Sequence, residues 1–576
     1  MPSTIISIKI GAEAGQGVKS AGLMLAKLAI RSGYHIYNQI EYPSLIKGGH
    51  NVLQVNISKE EVTAPRKVND FLIALNQDTV NKHLTEFADG AGLIYDSAAK
   101  IDTSKVPSTV VLLGVPLSKI AKEAGNSDLL INTVALGAVT AVLGGNLLIL
   151  NSLISEEFGS KGDEIVKVNV AAAENGFKYV TENYRQHLKN SLSPLESLSN
   201  FVPYMAIDGN ESVALGAISA GLQYAAIYPM SPISNILHVL AENQEKFGYI
   251  YKQPEDELSA INMAIGASYA GARSMTSTSG GGFCLMTEGY GLAGMTETPL
   301  VIIEGMRPGP ATGLPTWSGQ GDLQMILNAH QDDFPRIVLA AGDAKEAFEL
   351  TMKAFNLADK YQTPVVVIID KNICENAQSF PLYEYSDYRI DRGKLTTAKV
   401  EDYKRYASEP SGISQRTVPG VGNFFIANSD EHDEEGYSSE DIDNRNIMME
   451  KRMTKLKTCK EQDMEKPQLF GPEDAEITII SWGSNKGSIL QALKNLDGVN
   501  YIHVNWMSPF PSDELSEMSS KSKYILNVEC NYTGQMEKLI RENTQIKIDE
   551  NFLKYDGRQI YPEEIIDAVN KIRSKK

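Results

Sequence analysis

The feature that most restricts the fold is a pattern of β-like runs alternating with apolar helices, which restarts three times along the chain. The first run, "TIISIKI" (4–10), leads into the glycine-rich "GAEAGQG" (11–17) and an apolar helical stretch to residue 30. Strand, tight turn and a helix presenting small residues to a sheet form the opening of a doubly wound α/β domain. Further β-like runs at 51–57, 71–75, 92–96 and 108–114 alternate with helical stretches, the last helix running through 168–184. A serine-rich, weakly periodic stretch follows. The pattern restarts at "AIDGNESVALGAISAGLQYAAIYP" (206–229), with strands expected at 271–279, 299–305, 336–341 and 363–370. It restarts again near residue 470, with "ITIISWG", "YIHVNW" and "YILNVE". Between these two, residues 401–437 look irregular, and a helix capped by Ser438 is expected to place Ile442, Met449, Met453 and Leu456 on one face.

The fold class that follows is α/β, with three doubly wound domains. The expected division is 1–188, a linker at 189–204, 205–435, a helical linker at 436–468, and 469–576. A chain of 576 residues exceeds what one hydrophobic core organises, so several domains are expected on length alone.

Charge and cysteine usage narrow the function. A net charge of −18 repels nucleic acid and anionic membrane surfaces, so neither is an expected partner. The four cysteines, Cys284, Cys374, Cys459 and Cys530, lie 71 or more residues apart. That spacing offers no zinc or iron–sulfur site within this chain, and so few thiols suit a reducing cytoplasm. No basic, signal-like segment opens the sequence. Residues 129–154 carry no charge over 26 residues, but Asn132, Asn146, Asn151 and Gly144-Gly145 interrupt them. They read as a buried helix, a glycine turn and a second element rather than a membrane span.

Three loops follow expected strands and are rich in Gly, Pro, Ser and Thr: "YPMSPIS" (228–234), "STSGGGF" (277–283) and "MRPGPATGLPT" (306–316). In open α/β sheets ligands bind beyond the carboxyl ends of the strands, where such loops converge. Arg307 is the one positive charge among them, and an Arg fork is a natural clamp for a substrate carboxylate. "QPEDELSAINMAIGASYAGA" (253–272) places Glu255, Asp256 and Glu257 at a helix start, followed by a small-residue face of Ala260, Ala264, Ala267 and Gly271. Capping explains two of the acids. The third would be desolvated in a tight interface, with raised proton affinity, and suits sharing a proton with a heterocyclic nitrogen. Spacing alone does not say which it is. The glycines of "GAEAGQG" do not follow the dinucleotide fingerprint, and Glu13 would repel a pyrophosphate, so a tight turn meeting a partner or ligand is the reading there. "SDEHDEEG" (429–436) reads as a solvated or interface loop rather than a metal site, lacking EF-hand spacing.

Taken together, "GNESVALGAISAG", "YPMSP", "EDELSAINMAIGASYAGAR", "TSGGGF", "RPGPATGLPT" and "NSDEHDEEG" resemble the α subunits of 2-oxoacid:ferredoxin oxidoreductases. The likeness is to the 2-oxoglutarate synthase type, with a γ-type domain fused ahead of the α region. "GAEAGQG" and "YPSLIKGGH" (42–50) look like the γ-type domain, 205–435 like the pyrimidine-binding domain, and "VECNYTGQMEKLIRE" and "LKYDGRQIYPEEI" like the transketolase C-terminal-like domain. Two departures stand out: the family's Y-P-I-T-P is here "YPMSP", keeping a hydroxyl at Ser231, and R-G-G-P-S-T-G is here "RPGPATG", losing one at Ala311.

The resemblance implies CoA-dependent oxidative decarboxylation of a 2-oxoacid, with electrons passed to ferredoxin. It implies thiamine diphosphate shared with a partner β subunit, which would hold the Mg2+ and a [4Fe-4S] cluster in an (αβ)2 assembly. No GDG motif occurs in this chain, consistent with that division of labour. By resemblance, Tyr228, Pro229, Glu257 and Gly280 contact the cofactor, and Ser231, Arg307 and Thr312 contact the substrate. Glu257 would hydrogen-bond N1′ of the aminopyrimidine and favour the tautomer that deprotonates C2. Ser231 would donate to the substrate, and Arg307 would hold its carboxylate. No residue of this chain is implied as a metal ligand.

Overall fold

A computed structural model describes residues 5–43, 49–125, 127–189, 192 and 204–575. The middle of "YPSLIKGGH" (44–48) and most of the expected linker lie outside these residues. The chain divides into two units, each described by itself: residues 1–207 with 376–383 and 561–563, and residues 208–375 with 384–560 and 564–576.

The first unit is built on an eight-stranded sheet. On one side of the strand Ile5–Glu13 lie parallel strands Asn69–Ala74, Phe87–Asp96 and Val111–Val115. On its other side the ladder turns antiparallel, through His50–Ser58, His35–Glu41, Gln378–Pro381 and Tyr204–Ile207. The sheet is therefore half doubly wound and half antiparallel. The strands at 35–41, 204–207 and 378–381 escape the sequence reading. Gly15 and Gly17 take positive φ, as a tight turn requires, and Gly17 starts the helix Val18–Arg31 without a side-chain cap. The uncharged 129–154 stretch forms the helix Ile131–Val142, a Gly144-Gly145 turn and the helix Leu147–Phe158. Among the described residues no helix is long and apolar enough to cross a membrane.

The second unit contains two sheets. The seven-stranded one is parallel from Ile337–Ala340 through Pro364–Asp370, Leu300–Met306, Ser274–Thr278 and Tyr224–Ala226 to Ile250–Lys252. Strands such as "PVVVIID" and "IVLA" are continuous or nearly continuous apolar runs, buried on both faces as central parallel strands are. The five-stranded sheet orders Gln468–Phe470, Val499–His503, Ile477–Ser481, Tyr524–Glu529 and Glu550–Leu553, with only the first antiparallel. A short strand of the C-terminal segment, Trp506–Ser508, pairs antiparallel with Ile337–Ala340. Side chains of both sheets, Ile302 and Ile480 among them, share one apolar core.

The helix Ile442–Gln462 corrects the sequence reading in two respects. Its cap is Asp441, whose carboxylate accepts from the Asn444 N–H at 2.8 Å, while the Ser438 hydroxyl bonds Asp430. Its buried face is Met448, Lys451, Arg452, Lys455 and Cys459, whereas Ile442 is exposed. Buried acids reverse the expected face. Lys451 and Lys455 pair with the fully buried Glu297 at 2.5 and 2.6 Å, and Arg452 pairs with Glu431 at 2.7 Å. The acidic loop "SDEHDEEG" therefore packs: Glu431 also holds Arg445, and His432 is buried against Tyr406.

Candidate active site

Tyr224–Ala226, Ser274–Thr278 and Leu300–Met306 are adjacent parallel strands, so the loops following them emerge at one sheet edge. Those loops are the three singled out in the sequence. They are tied together there. Arg307 donates from Nη1 to the Ser231 carbonyl at 2.7 Å, and a Cβ on Gly281 would lie 3.7 Å from Met230 Sδ. The Ser231–Pro232 and Gly309–Pro310 peptides are cis. Tyr228 and Ser231 are half-buried and Pro229 is exposed.

The three consecutive acids have three different surroundings. Glu255 is exposed and accepts from the Ser259 hydroxyl at 2.6 Å. Asp256 caps the helix Glu257–Tyr269, accepting from the Ser259 N–H at 2.8 Å. Glu257 is 2% exposed, and its Oε1 has no hydrogen-bond partner. Burial, opposed by a backbone hydrogen bond and aided by a smaller push from Asp256, raises its proton affinity from the ordinary carboxylate value. Ala260 and Ala264 are buried on this helix. The helix Gly280–Met295 crosses close by: a Cβ on Gly282 would lie 2.1 Å from Thr278 Oγ1 and 2.4 Å from Glu257 Oε1. Only glycine fits there.

Two residues before Gly282 begins a cleft of about 610 Å³. Gly280, Gly281, Arg307 and Asp322 line it on the side of the seven-stranded sheet, and Asn531, Tyr532 and Tyr555 on the other. Gln320 joins the walls: its side chain accepts from the Cys530 N–H at 2.8 Å and donates to the Trp482 carbonyl at 3.0 Å. Glu529, fully buried, accepts from the Met536 and Glu537 N–H groups at the start of the next helix and so fixes the 530–535 turn. Burial lowers the proton affinity of Arg307. Among the described residues no carboxylate lies within 4.0 Å of its guanidinium. The fork is thus held in place by a neutral carbonyl and is open to an anion.

Of the residues singled out in the sequence, Gly280 and Arg307 face this cleft, and Ser231 reaches it through the carbonyl held by Arg307. Glu257 is buried under Gly282, on the same helix that begins at Gly280. Thr312 is exposed, and the cleft lining on its loop ends at Ala311. Tyr228 and Pro229 lie outside the lining. The sequence reading overlooked Glu304 and Asp322. A lone acid in the otherwise apolar "LVIIEGM" strand was the available signal for Glu304. Among the described residues no cluster of His, Cys, Asp or Glu has the arrangement of a metal site.

Residues 215–451 match the family described as "Pyruvate flavodoxin/ferredoxin oxidoreductase, thiamine diP-bdg", and residues 7–179 match "Pyruvate ferredoxin/flavodoxin oxidoreductase". A 2-oxoacid:ferredoxin oxidoreductase subunit alpha from Sulfolobus sp is 32% identical, covering 98% of this chain and 97% of its own. The 2-oxoglutarate oxidoreductase subunit KorA of Mycobacterium tuberculosis is 28% identical over 97% of this chain and 90% of its own. A solved 2-oxoglutarate:ferredoxin oxidoreductase from Magnetococcus marinus, with 2-oxoglutarate, coenzyme A and succinyl-CoA bound, superposes with a TM-score of 0.92. It is 31% identical and covers 99% of both chains. The loops, the buried glutamate and the open arginine therefore sit in an enzyme subunit: this chain belongs to the 2-oxoacid:ferredoxin oxidoreductase α-subunit family.

Proposed function

We propose that this chain supplies the aminopyrimidine-binding and substrate-carboxylate-binding half of an oxidoreductase that converts 2-oxoglutarate and CoA to succinyl-CoA and CO2, passing the released electron pair to ferredoxin. The observation that carries this reading is Glu257, a nearly inaccessible carboxyl whose Oε1 lacks a partner and lies against a position that admits only glycine. A buried polar atom without a partner is costly unless a ligand completes it. Thiamine diphosphate fits that requirement, because its aminopyrimidine N1′ accepts a proton from a carboxyl. When bound, the cofactor supplies a carbon nucleophile for the 2-oxoacid carbonyl.

The chain's own residues do the rest. Glu257 presents Oε1 in a desolvated setting, where burial raises its affinity for the proton it would share with N1′. Gly280 and Gly281 let the backbone approach the ligand, with Tyr228 and Pro229 closing the cofactor side of the stiff 228–234 loop. Arg307 binds the C1 carboxylate, and its hydrogen bond to Ser231 fixes the fork before substrate arrives, so little reordering accompanies reaction. Ser231 and Thr312 add hydroxyls on the two loops that flank it.

The substrate assignment is supported by the Magnetococcus marinus relative, which has 2-oxoglutarate and succinyl-CoA bound. The diphosphate, its Mg2+ and a [4Fe-4S] cluster belong on this reading to a β subunit in a cytoplasmic (αβ)2 enzyme. Residues 1–188 then form the γ-type domain, 205–435 the pyrimidine-binding domain and 469–576 the transketolase C-terminal-like domain, joined by 189–204 and 436–468. The test is to purify the complex with its native partner and screen 2-oxoacids for CoA-dependent viologen reduction. Highest kcat/KM with 2-oxoglutarate supports the assignment; preference for pyruvate or a branched-chain 2-oxoacid replaces the substrate, and no reduction with any overturns the reading.

A further inference from the structure

Under the cleft lies a pair of carboxyls that the proposed reaction does not use. Glu304 sits in the strand Leu300–Met306, three residues before Arg307, fully buried, with neither oxygen offered an N–H or an alcohol O–H. Asp322 lines the cleft, and its Oδ2 is likewise without such a donor. It presses on the start of the helix Gly280–Met295, where a Cβ on Gly280 would lie 2.5 Å from Oδ2. The two carboxyls lie close enough to act on each other's charge. Two carboxyls that face each other away from water resist ionising together, which favours one proton kept between them.

The surrounding charges set which one. Glu304 faces Asp322, then Asp370 and Cys284, and also bears on the buried Cys374. Asp370 accepts the Asn372, Ile373 and Ser484 N–H groups, which oppose the rise that burial imposes on its proton affinity. Burial and these acids drive the proton affinity of Glu304 well above the carboxylate range. Asp322 is raised by burial but opposed by its bond to Glu304 and by Arg307. Glu304 therefore holds a proton more readily than Asp322, whose charge Arg307 favours across the cleft.

We propose that Glu304 and Asp322 share one proton in the resting cleft and take up a second from solvent when a 2-oxoacid carboxylate binds Arg307, making the pair a positioning element that sets the cleft's affinity for its anionic substrate. This rests on the reading of Arg307 as the carboxylate's partner. The arriving anion takes over the guanidinium that had balanced Asp322. Asp322 is then a second negative charge beside the first, and protonation removes the conflict.

The experiment uses the assembled enzyme at saturating CoA and follows KM and kcat/KM for 2-oxoglutarate against pH. Wild type is expected to lose kcat/KM as pH rises, since binding consumes a proton. Asp322→Asn removes the competing charge: KM at the alkaline end falls several-fold below wild type, and the falling limb flattens. Glu304→Gln still donates to Asp322 but fixes it as an anion: KM at neutral pH rises, and the limb flattens too. A merely structural role would raise KM in both variants. As a second readout, wild-type minus Glu304→Gln infrared difference spectra should contain the C=O stretch of a protonated carboxylic acid.

The proposal is overturned if both variants keep the wild-type limb, if KM moves the same way in both, or if no such band is lost. Should Asp322→Asn fail to fold, the wild-type profile and Glu304→Gln decide alone. Arg307→Lys separates the two ideas. If it leaves KM unchanged for every 2-oxoacid, the reading of Arg307 falls and this proposal with it. If it raises KM while the pair variants behave as wild type, only the present inference falls.

Discussion

Gly282→Ala should be among the most damaging single-methyl changes in this chain. The added carbon would lie 2.1 Å from Thr278 Oγ1, 2.4 Å from Glu257 Oε1 and 2.7 Å from Glu257 Cγ. Contact between such atoms needs about 3.4 Å or more, so the Glu257 carboxyl must move by about 1 Å. The neighbouring atoms are side chains rather than backbone, so the helices need not separate, and overpacking should cost about 1–3 kcal/mol of stability. A 1 Å displacement of a reacting group costs on the order of 100-fold in rate. The assay pairs viologen reduction by the assembled enzyme with thermal unfolding of the same preparation. The expected outcome is a loss of kcat on the order of 100-fold in a complex that still assembles and melts within several degrees of wild type. In a double-mutant cycle with Glu257→Gln the two losses should not add, because both act on one carboxyl. Near-normal turnover, or full additivity, would refute the claim that Gly282 exists to seat Glu257.

Glu257→Gln should nearly abolish turnover, whereas Glu255→Gln should act only on a surface hydrogen bond and Asp256→Asn only on a helix cap; a dead Glu255→Gln enzyme beside an active Glu257→Gln one would transfer the role. Arg307→Lys keeps the charge but loses the planar fork, so kcat/KM should fall by about 1.5–3 kcal/mol with every 2-oxoacid; harm confined to 2-oxoglutarate would mean that Arg307 reads the distal carboxylate. Burial pushes Glu431 up, but hydrogen bonds from Arg452 and Arg445 outweigh it and bring its pKa down to about 2. Its stabilisation is therefore complete above the ordinary carboxylate value of about 4.5 and is lost as pH falls through about 2. Glu431→Gln should cost about 1–2 kcal/mol at pH 7, given the solvent that reaches the pair, and the gap between variant and wild-type unfolding should narrow on acidification below about pH 4.5. Purified without its partner, the chain should be colourless and bind thiamine diphosphate weakly; a brown chromophore in it alone would contradict the division of the site between subunits.

Much of the second unit was readable because its parallel strands are buried on both faces and appear as unbroken apolar runs bounded by glycine and proline. The strands "PVVVIID" and "ITIIS" stand where the sequence reading put them. What escaped were strands whose existence depends on a distant partner. Tyr204–Ile207 and Gln378–Pro381 are four residues each and pair with one another across more than 170 residues of chain. Nothing local distinguishes such segments from loop. The helix Ile442–Gln462 failed for the opposite reason. Its apolar residues have a helical period, but its basic face is the buried one, because Glu297 and Glu431 wait beneath it. A hydrophobic pattern cannot report burial that is driven by ion pairs.

The site divides along the same line. Loop composition marked the three loops that meet at one end of the sheet, since glycine, proline and hydroxyl residues after strands are a local signature, and the end they share follows from parallel topology. Which side chain does what is a matter of desolvation, and desolvation is set by the tertiary structure. Glu255, Asp256 and Glu257 are three adjacent acids with the same intrinsic chemistry; only the helix crossing at Gly282 leaves the third with an oxygen that no protein group satisfies. Glu304 makes the point more strongly. In sequence it is one acid in a β-run, and in the fold its strand neighbours, Asp370 and the Asp322 cap deny it solvent and counter-charge alike. Burial without a cation raises proton affinity, as at Glu257 and Glu304, while burial with two lysines depresses it, as at Glu297. A buried acid in this family is therefore read by asking what positive charge reaches it. At Glu304 none does, and the pair it is proposed to form with Asp322 answers an incoming carboxylate by taking a second proton from solvent.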